Sequence, residues 1–179
     1  QLTGQSRAVV SASEPPMIRI LMVCLGNICR SPTAHGVMEK LIKDKGMEHY
    51  ISVDSAGTGN WHIGERPDGR ATQAAARRGY DLSGQLARQV DDTDFGRFHY
   101  ILAMDRQNLK DLRARCPASH HSRLRLLLEY GESEHDIVPD PYYSGAQGFE
   151  LVLDLVEGAC SALLADIQRQ HFPAAVGDQ

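Results

Sequence analysis

With 179 residues, 42% of them apolar, the chain is sized for one compact domain whose core needs no disulfide or metal staple. A formal charge of −4 gives no broad positive field, which excludes nucleic acid and anionic membrane surfaces as partners and means that any anion must be caught by local geometry. Four cysteines, Cys24, Cys29, Cys116 and Cys160, lack CxxC pairing and suit a reducing, cytoplasmic setting with no metal or cofactor.

Residues 1–16 (QLTGQSRAVVSASEPP) carry no apolar signal-peptide core and little to bury. They read as a mobile arm or an appended remnant without chemistry, leaving residues 17–179 as a single domain. The run MIRILMV (Met17 to Val23) has the length and apolarity of a strand buried on both faces. It ends in the turn CLGNICRSP. Beyond it Ala34, Val37, Met38, Leu41 and Ile42 recur at helical spacing up to Gly46, with Ser31 as the expected N-cap and Pro32 at the first helical position. YISVDSAG (Tyr50 to Gly57) is a second strand, followed by a glycine-punctuated loop and a helix over about Asp68 to Arg78 closed by Gly79. YILAM (Tyr100 to Met104) is a third strand, RLRLLLEY (Arg123 to Tyr130) contains a fourth, and Phe149 to Gln168 has helical spacing. Strands alternating with helices predict an α/β three-layer sandwich: a central four-stranded parallel sheet with helices on both faces. Ligands of such sheets bind beyond the carboxyl ends of the strands, which is where the CLGNICRSP turn lies.

Cys24 and Arg30 enclose five residues, Leu25, Gly26, Asn27, Ile28 and Cys29. Gly26 tolerates positive φ and Asn27 accepts the left-handed region better than most residues, so the loop can turn successive N–H groups inward. Backed by a helix N-terminus, such a loop holds a tetrahedral oxyanion, and the Arg30 fork can grip two of its oxygens. A thiol on the floor of that cradle ionises more readily than an ordinary cysteine, whose pKa is ~8.5. Cys24 is therefore a candidate nucleophile, with the Ser31 hydroxyl close enough in sequence to donate to its sulfur. Neither GxxxxGK[ST] nor a GxGxxG after the first strand occurs, so a nucleotide loop is unsupported. His120, His121 and His135 match no helical metal-ligand spacing such as HExxH.

The turn resembles the signature of the low-molecular-weight protein tyrosine phosphatases: a Cys, five residues, Arg and Ser near the N-terminus. DSAGTGNWHIG (Asp54 to Gly64), PDGRA (Pro67 to Ala71), ARQV (Ala87 to Val90), ILAMDRQNL (Ile101 to Leu109) and DPYY (Asp140 to Tyr143) resemble further landmarks of that family in order and approximate spacing, from about Met17 to Gln168. The resemblance implies hydrolysis of phosphotyrosine in protein substrates through a cysteinyl-phosphate, with inorganic phosphate as product. It assigns Asp140 as the acid for the leaving phenolate; the residues alone would make Asp140-Pro141 a turn element, one of 23 acidic positions. It also implies that Asn27 and Ser55 brace the loop, that Trp61, Tyr142, Tyr143 and Leu25 wall the cleft, and that Cys29 forms a reversible disulfide shielding Cys24. An autophosphorylated tyrosine kinase is the partner such an enzyme would serve.

Two positions depart from the family pattern. His35 stands where many members carry an acid, and Gln85 where many have a histidine. His35 is expected to be an exposed helical histidine. Gln85 cannot titrate, which puts the loop-bracing role of the usual histidine in doubt and predicts a shifted pH profile with activity retained. Rival readings on the same scaffold are a protein arginine phosphatase, which tends to have Thr where Ile28 stands, and an arsenate reductase, which needs relay cysteines that Cys116 and Cys160 are poorly placed to be. A non-catalytic phosphate-binding module would need neither Cys24 nor Asp140.

Overall fold

The computed structural model of the protein describes residues 17–173. The expected arm, residues 1–16, lies outside the described residues. β1 (Ile18–Cys24) pairs in parallel with β2 (Ile51–Gly57) on one side and with β3 (Tyr100–Ala103) on the other, and β3 pairs with β4 (Leu124–Leu126). The sheet order is β2-β1-β3-β4. This is the four-stranded parallel sheet the alternation predicts.

β1 shows why the sheet needs two helical layers. Its residues alternate between faces, and both faces are covered. Ile20, Met22 and Cys24 enter one core with Val37 and Met38 of α1 (Arg30–Asp44) and Val156 and Leu163 of α5 (Ala146–His171). Leu21 and Val23 enter the other with Phe95 of α3 (Asp94–Arg97) and Leu109 and Leu112 of α4 (Arg106–Arg115). Each fully buried aliphatic side chain contributes about 1.5–3 kcal/mol, so losing either helical layer would expose half of β1.

α2 (Gly69–Arg77) begins where the Asp68 carboxylate accepts the Arg70 and Ala71 amides, at 2.8 and 3.2 Å, and ends at Gly79 with φ 87°. Past its end Arg78 reaches α5 and pairs with Glu150 at 2.6 Å, Asp154 at 2.9 Å and Glu157. The Tyr80 hydroxyl donates to the same Glu157.

The chain leaves β1 for β2, then returns past β1 to β3, so a crevice opens beyond the carboxyl ends of β1 and β3. Cys24 and Asp105 stand at that crevice.

Three local expectations are corrected. α1 starts at Arg30 with Cys29 as N-cap and no side-chain cap; Ser31 sits inside the helix because its hydroxyl is taken up by Cys24 and Asn27. α4 had no counterpart among the predicted elements. α5 extends three residues beyond the expected helix at each end, to Ala146 and His171. No helix among the described residues is long and apolar enough to cross a membrane.

Candidate active site

The loop from Cys24 to Arg30 is shaped from both sides. Asn27 takes φ 58°, the only positive φ outside glycine among the described residues. The sequence had offered Gly26 as well, but the left-handed turn falls on Asn27 alone. Its side chain explains the choice. Oδ1 accepts the Arg88 N–H at 3.0 Å, while Nδ2 donates to Ser31 Oγ at 2.8 Å and Ser55 Oγ at 3.0 Å. Below the loop, Gly57 ends β2; a Cβ there would lie 2.6 Å from the Leu25 carbonyl oxygen. Thr58 and Gly59 donate their amides to the Cys24 and Leu25 carbonyls at 2.9 Å each.

Cys24 is 3% exposed, and its sulfur meets Ser31 Oγ at 3.0 Å and the Asn27 N–H at 3.3 Å. Ser31 Oγ already accepts from Asn27, so its own proton is free for the sulfur. The only other acceptor it reaches is the Ala56 carbonyl, at a longer 3.4 Å. Because the 15-residue α1 lacks a side-chain cap, its first amides are left for a ligand in front of the sulfur.

Arg30 is almost fully buried. Its Nη1 donates to Asp105 Oδ2 at 2.6 Å and to the Val138 carbonyl at 3.1 Å, and Nη2 lies 3.9 Å from Asp140 Oδ2. Burial alone would lower its pKa, but Cys24, Asp105 and Asp140 together hold it above the ordinary arginine value. Asp105 serves two groups at once, since its other oxygen accepts the Asn108 N–H at 2.8 Å as the N-cap of α4. Sequence reading missed Asp105 as a partner of Arg30. The one available signal was the Asp-x-x-Asn capping box, which places the residue but not its second bond.

Leu25, Gly26, Ile28, Cys29, Trp61, Tyr142 and Tyr143 line one cleft of about 330 Å³ together with Cys24, Arg30 and Asp140. Asn27, Ser31 and Ser55 lie buried behind it. Trp61 is 68% exposed and leans over Gly59, where a Cβ would fall 1.8 Å from the ring. Asp140 accepts the Tyr142 N–H at 3.0 Å, an Asx turn that leaves the other carboxylate oxygen facing Arg30. Tyr142 is steadied by Arg70, 5.3 Å above its ring, and meets Tyr143 edge-on at 5.0 Å. Tyr143 is 96% exposed and forms the outer rim. His62, which sequence reading passed over, joins the cleft with its Nδ1 bound by Glu65.

Cys29 is buried, and its thiol is pushed up to about 12 by that burial and then by Asp68, Cys24 and Asp140. Cys160 packs against α1 and Cys116 lies in the core on the other side of the sheet. A hollow of about 610 Å³ between Tyr100, Arg123, Tyr130 and His171 lies at the amino ends of β3 and β4 and is lined by no cysteine.

Both departures from the family pattern turn out to be in the network. Gln85 Nε2 donates to the Pro32 carbonyl at 2.9 Å and Oε1 accepts from Ser55 at 3.2 Å, so it braces the loop after all. His35 is not exposed. Its side chain is 13% accessible, 3.4 Å from Ser55 Oγ on one edge and 3.1 Å from Glu39 on the other.

The site is thus a thiol beside an arginine fork, faced by a carboxylate and walled by aromatic rings. Residues 19–172 match the family model described as low molecular weight phosphotyrosine protein phosphatase. The chain belongs to that family. It is a low-molecular-weight protein tyrosine phosphatase, a hydrolase of phosphotyrosine in proteins. The low-molecular-weight protein-tyrosine-phosphatase YfkJ of Bacillus subtilis is 45% identical over 155 residues, 86% of this chain and 98% of that one. Its crystal structure superposes with a TM-score of 0.82, covering 86% of this chain and 96% of that one. A protein tyrosine phosphatase from Entamoeba histolytica gives a TM-score of 0.83 at 38% identity over 85% of this chain and 97% of that one. The structure titled DARP, drosophila arginine phosphatase, also matches, at 32% identity and TM-score 0.78 over 84% and 98%.

Proposed function

We propose that this phosphatase works through Cys24 as nucleophile, Arg30 as phosphate clamp and Asp140 as proton donor, within one catalytic domain spanning residues 17–179. The Cys24 thiolate attacks phosphorus in line with the phenolic oxygen. The S–P bond forms, the P–O bond breaks, and Asp140 gives its proton to the departing phenolate. Arg30 and the loop amides from Leu25 to Cys29 hold the three equatorial oxygens throughout, and Ser31 donates to the sulfur. In the second step water attacks the cysteinyl-phosphate while Asp140 takes its proton. The S–P bond breaks, and thiolate and inorganic phosphate result.

The observation that carries this reading is the pairing of two contacts on the Cys24 sulfur, 3.0 and 3.3 Å, with an Arg30 guanidinium whose free edge faces Asp140 at 3.9 Å. A phosphoryl group entering between the arginine and the sulfur lies within reach of the carboxylate. Trp61, Tyr142 and Tyr143 then flank the ester and favour an aromatic leaving group.

Phosphotyrosine is favoured over phosphoarginine because Ile28 puts an aliphatic side chain into the cleft wall, where a guanidinium would need polar partners. Arsenate reduction is disfavoured because Cys116 and Cys160 are buried on opposite sides of the sheet and cannot relay a disulfide to Cys24. An autophosphorylated tyrosine kinase is the partner we propose, and the cytoplasm the compartment, where the buried free thiols stay reduced.

The test is the leaving-group dependence of kcat. Cys24→Ser should abolish turnover while inorganic phosphate still binds. Asp140→Asn should slow esters of poorly acidic phenols strongly and esters of acidic phenols little, because only the former need a proton. Equal slowing of both ester classes would remove Asp140 from the acid role, and turnover by Cys24→Ser would remove the nucleophile.

A further inference from the structure

The PDGRA stretch (Pro67 to Ala71) enters no step of the mechanism, yet it touches both loops that do. Asp68 is the joint between them. Its N–H donates to the Ile28 carbonyl of the phosphate loop at 2.8 Å, while its carboxylate caps α2. The same carboxylate closes on the Arg70 side chain, Oδ1 accepting from Nε at 3.3 Å and Oδ2 from Nη2 at 3.1 Å. A cation in the first turn opposes the helix dipole, so α2 has no use of its own for an arginine at this position. What Arg70 gains lies outside its helix. Its guanidinium carbon is 4.8 Å from the ring centroid of Phe149, which is buried in α5, and 5.3 Å from that of Tyr142 in the acid loop. Both are cation–π distances.

The acid loop is anchored on either side of its catalytic segment. Before it, the Val138 N–H donates to the Met104 carbonyl at 2.8 Å, just past β3; after it, α5 begins at Ala146. Between these anchors Asp140 is exposed, and its Oδ1 accepts the Tyr142 N–H. Arg70 reaches the Tyr142 ring from outside that segment. A movement of Tyr142 therefore carries the Asp140 carboxylate with it.

We infer that Arg70 is a positioning residue for proton donation: clasped by Asp68 and set against Phe149, it fixes Tyr142 and so keeps the Asp140 carboxylate in register with the phosphate loop. The clasp makes one frame of the two loops, because Asp68 holds Ile28 through its backbone and Arg70 through its side chain. Losing Arg70 frees the acid loop but leaves the Asp68 N–H on Ile28. The thiol and the phosphate cradle are then spared while the acid is misplaced.

This inference rests on Asp140 being the acid, and Asp140→Asn measured alongside separates the two. The readout is kcat/KM for two aryl phosphates, one of a poorly acidic phenol and one of an acidic phenol. Arg70→Ala should lower the first on the order of tenfold and the second by less than roughly threefold. Iodoacetate should alkylate Cys24 in this variant at the parent rate, and inorganic phosphate should bind it as tightly. Asp68→Asn keeps the cap but turns an NH2 donor toward Arg70 in place of an acceptor, and should show the same selective loss. The double variant should be no worse than Arg70→Ala, since both substitutions open one clasp. Equal slowing of the two esters, unchanged kcat/KM for both, or additive losses in the double variant would overturn the positioning role. If Asp140→Asn is selective between the esters and Arg70→Ala is not, the acid reading stands and only this inference falls. If Asp140→Asn is itself unselective, the acid assignment falls and takes this inference with it.

Discussion

Replacing Asp105 separates the charge that holds Arg30 from the cap that starts α4. Asp105 Oδ2 takes Arg30 at 2.6 Å while Oδ1 takes the Asn108 amide at 2.8 Å. Asparagine caps helices as well as aspartate does, so Asp105→Asn keeps the cap on Asn108 and removes the charge together with the oxygen that accepts from Arg30, an NH2 donor standing there instead. Breaking a buried ion pair from one side typically costs about 3–5 kcal/mol. Asp105 is 23% exposed and Arg30 keeps its bond to the Val138 carbonyl, which brings the expected loss to about half of that, roughly 1.5–2.5 kcal/mol. Asp105→Ala should lose the cap too, roughly 1 kcal/mol more. Urea unfolding of the three proteins measures both terms. In Asp105→Asn, kcat/KM should also fall on the order of tenfold, because the guanidinium is no longer pinned at its outer edge. Identical unfolding free energies for the Asn and Ala variants would refute the division of labour, and an unchanged kcat/KM in both would refute the claim that Asp105 aims Arg30.

Gly57→Ala should cost activity more than stability, because its Cβ would press on the Leu25 carbonyl at 2.6 Å and displace the loop; a full-activity variant would show that the loop is not held against β2. After peroxide inactivation, the parent should regain activity with a thiol reductant more fully than Cys29→Ser, and equal recovery would remove the protective disulfide. The Arg78 hydrogen bond depresses the Glu150 pKa, so this pair stabilises the fold above the ordinary glutamate value, near 4.3, and its contribution is lost as pH falls through the lower folded value. The urea midpoints of the parent and Arg78→Gln should therefore converge in acid. A gap that persists there would assign the effect of Arg78 to packing instead.

What could be read from sequence follows the separation of the interacting groups along the chain. The Cys24 to Arg30 loop is contiguous, so its chemistry is visible in one line of residues. The parallel sheet is equally visible in the apolar runs of β1 and β3. Arg30 to Asp105 and Asn27 to the Arg88 amide join elements brought together only by the sheet order, and no local pattern records them. The cap rule failed at Ser31 because it knows nothing of a second claim on the same hydroxyl. α4 stayed hidden because RQNLKDLRAR offers only Leu109 and Leu112 as an apolar stripe, too little for periodicity to register. Gln85 and His35 were noticed as departures, but their compensation was not, since it depends on both reaching Ser55 from opposite sides.

The most direct measurement is a rapid acid quench of the parent enzyme during turnover of an aryl phosphate labelled on phosphorus. The account predicts a burst of phenol matching the active chains, with the label recovered on the peptide that holds Cys24. A linear time course together with label found on another residue, or on none, would contradict it.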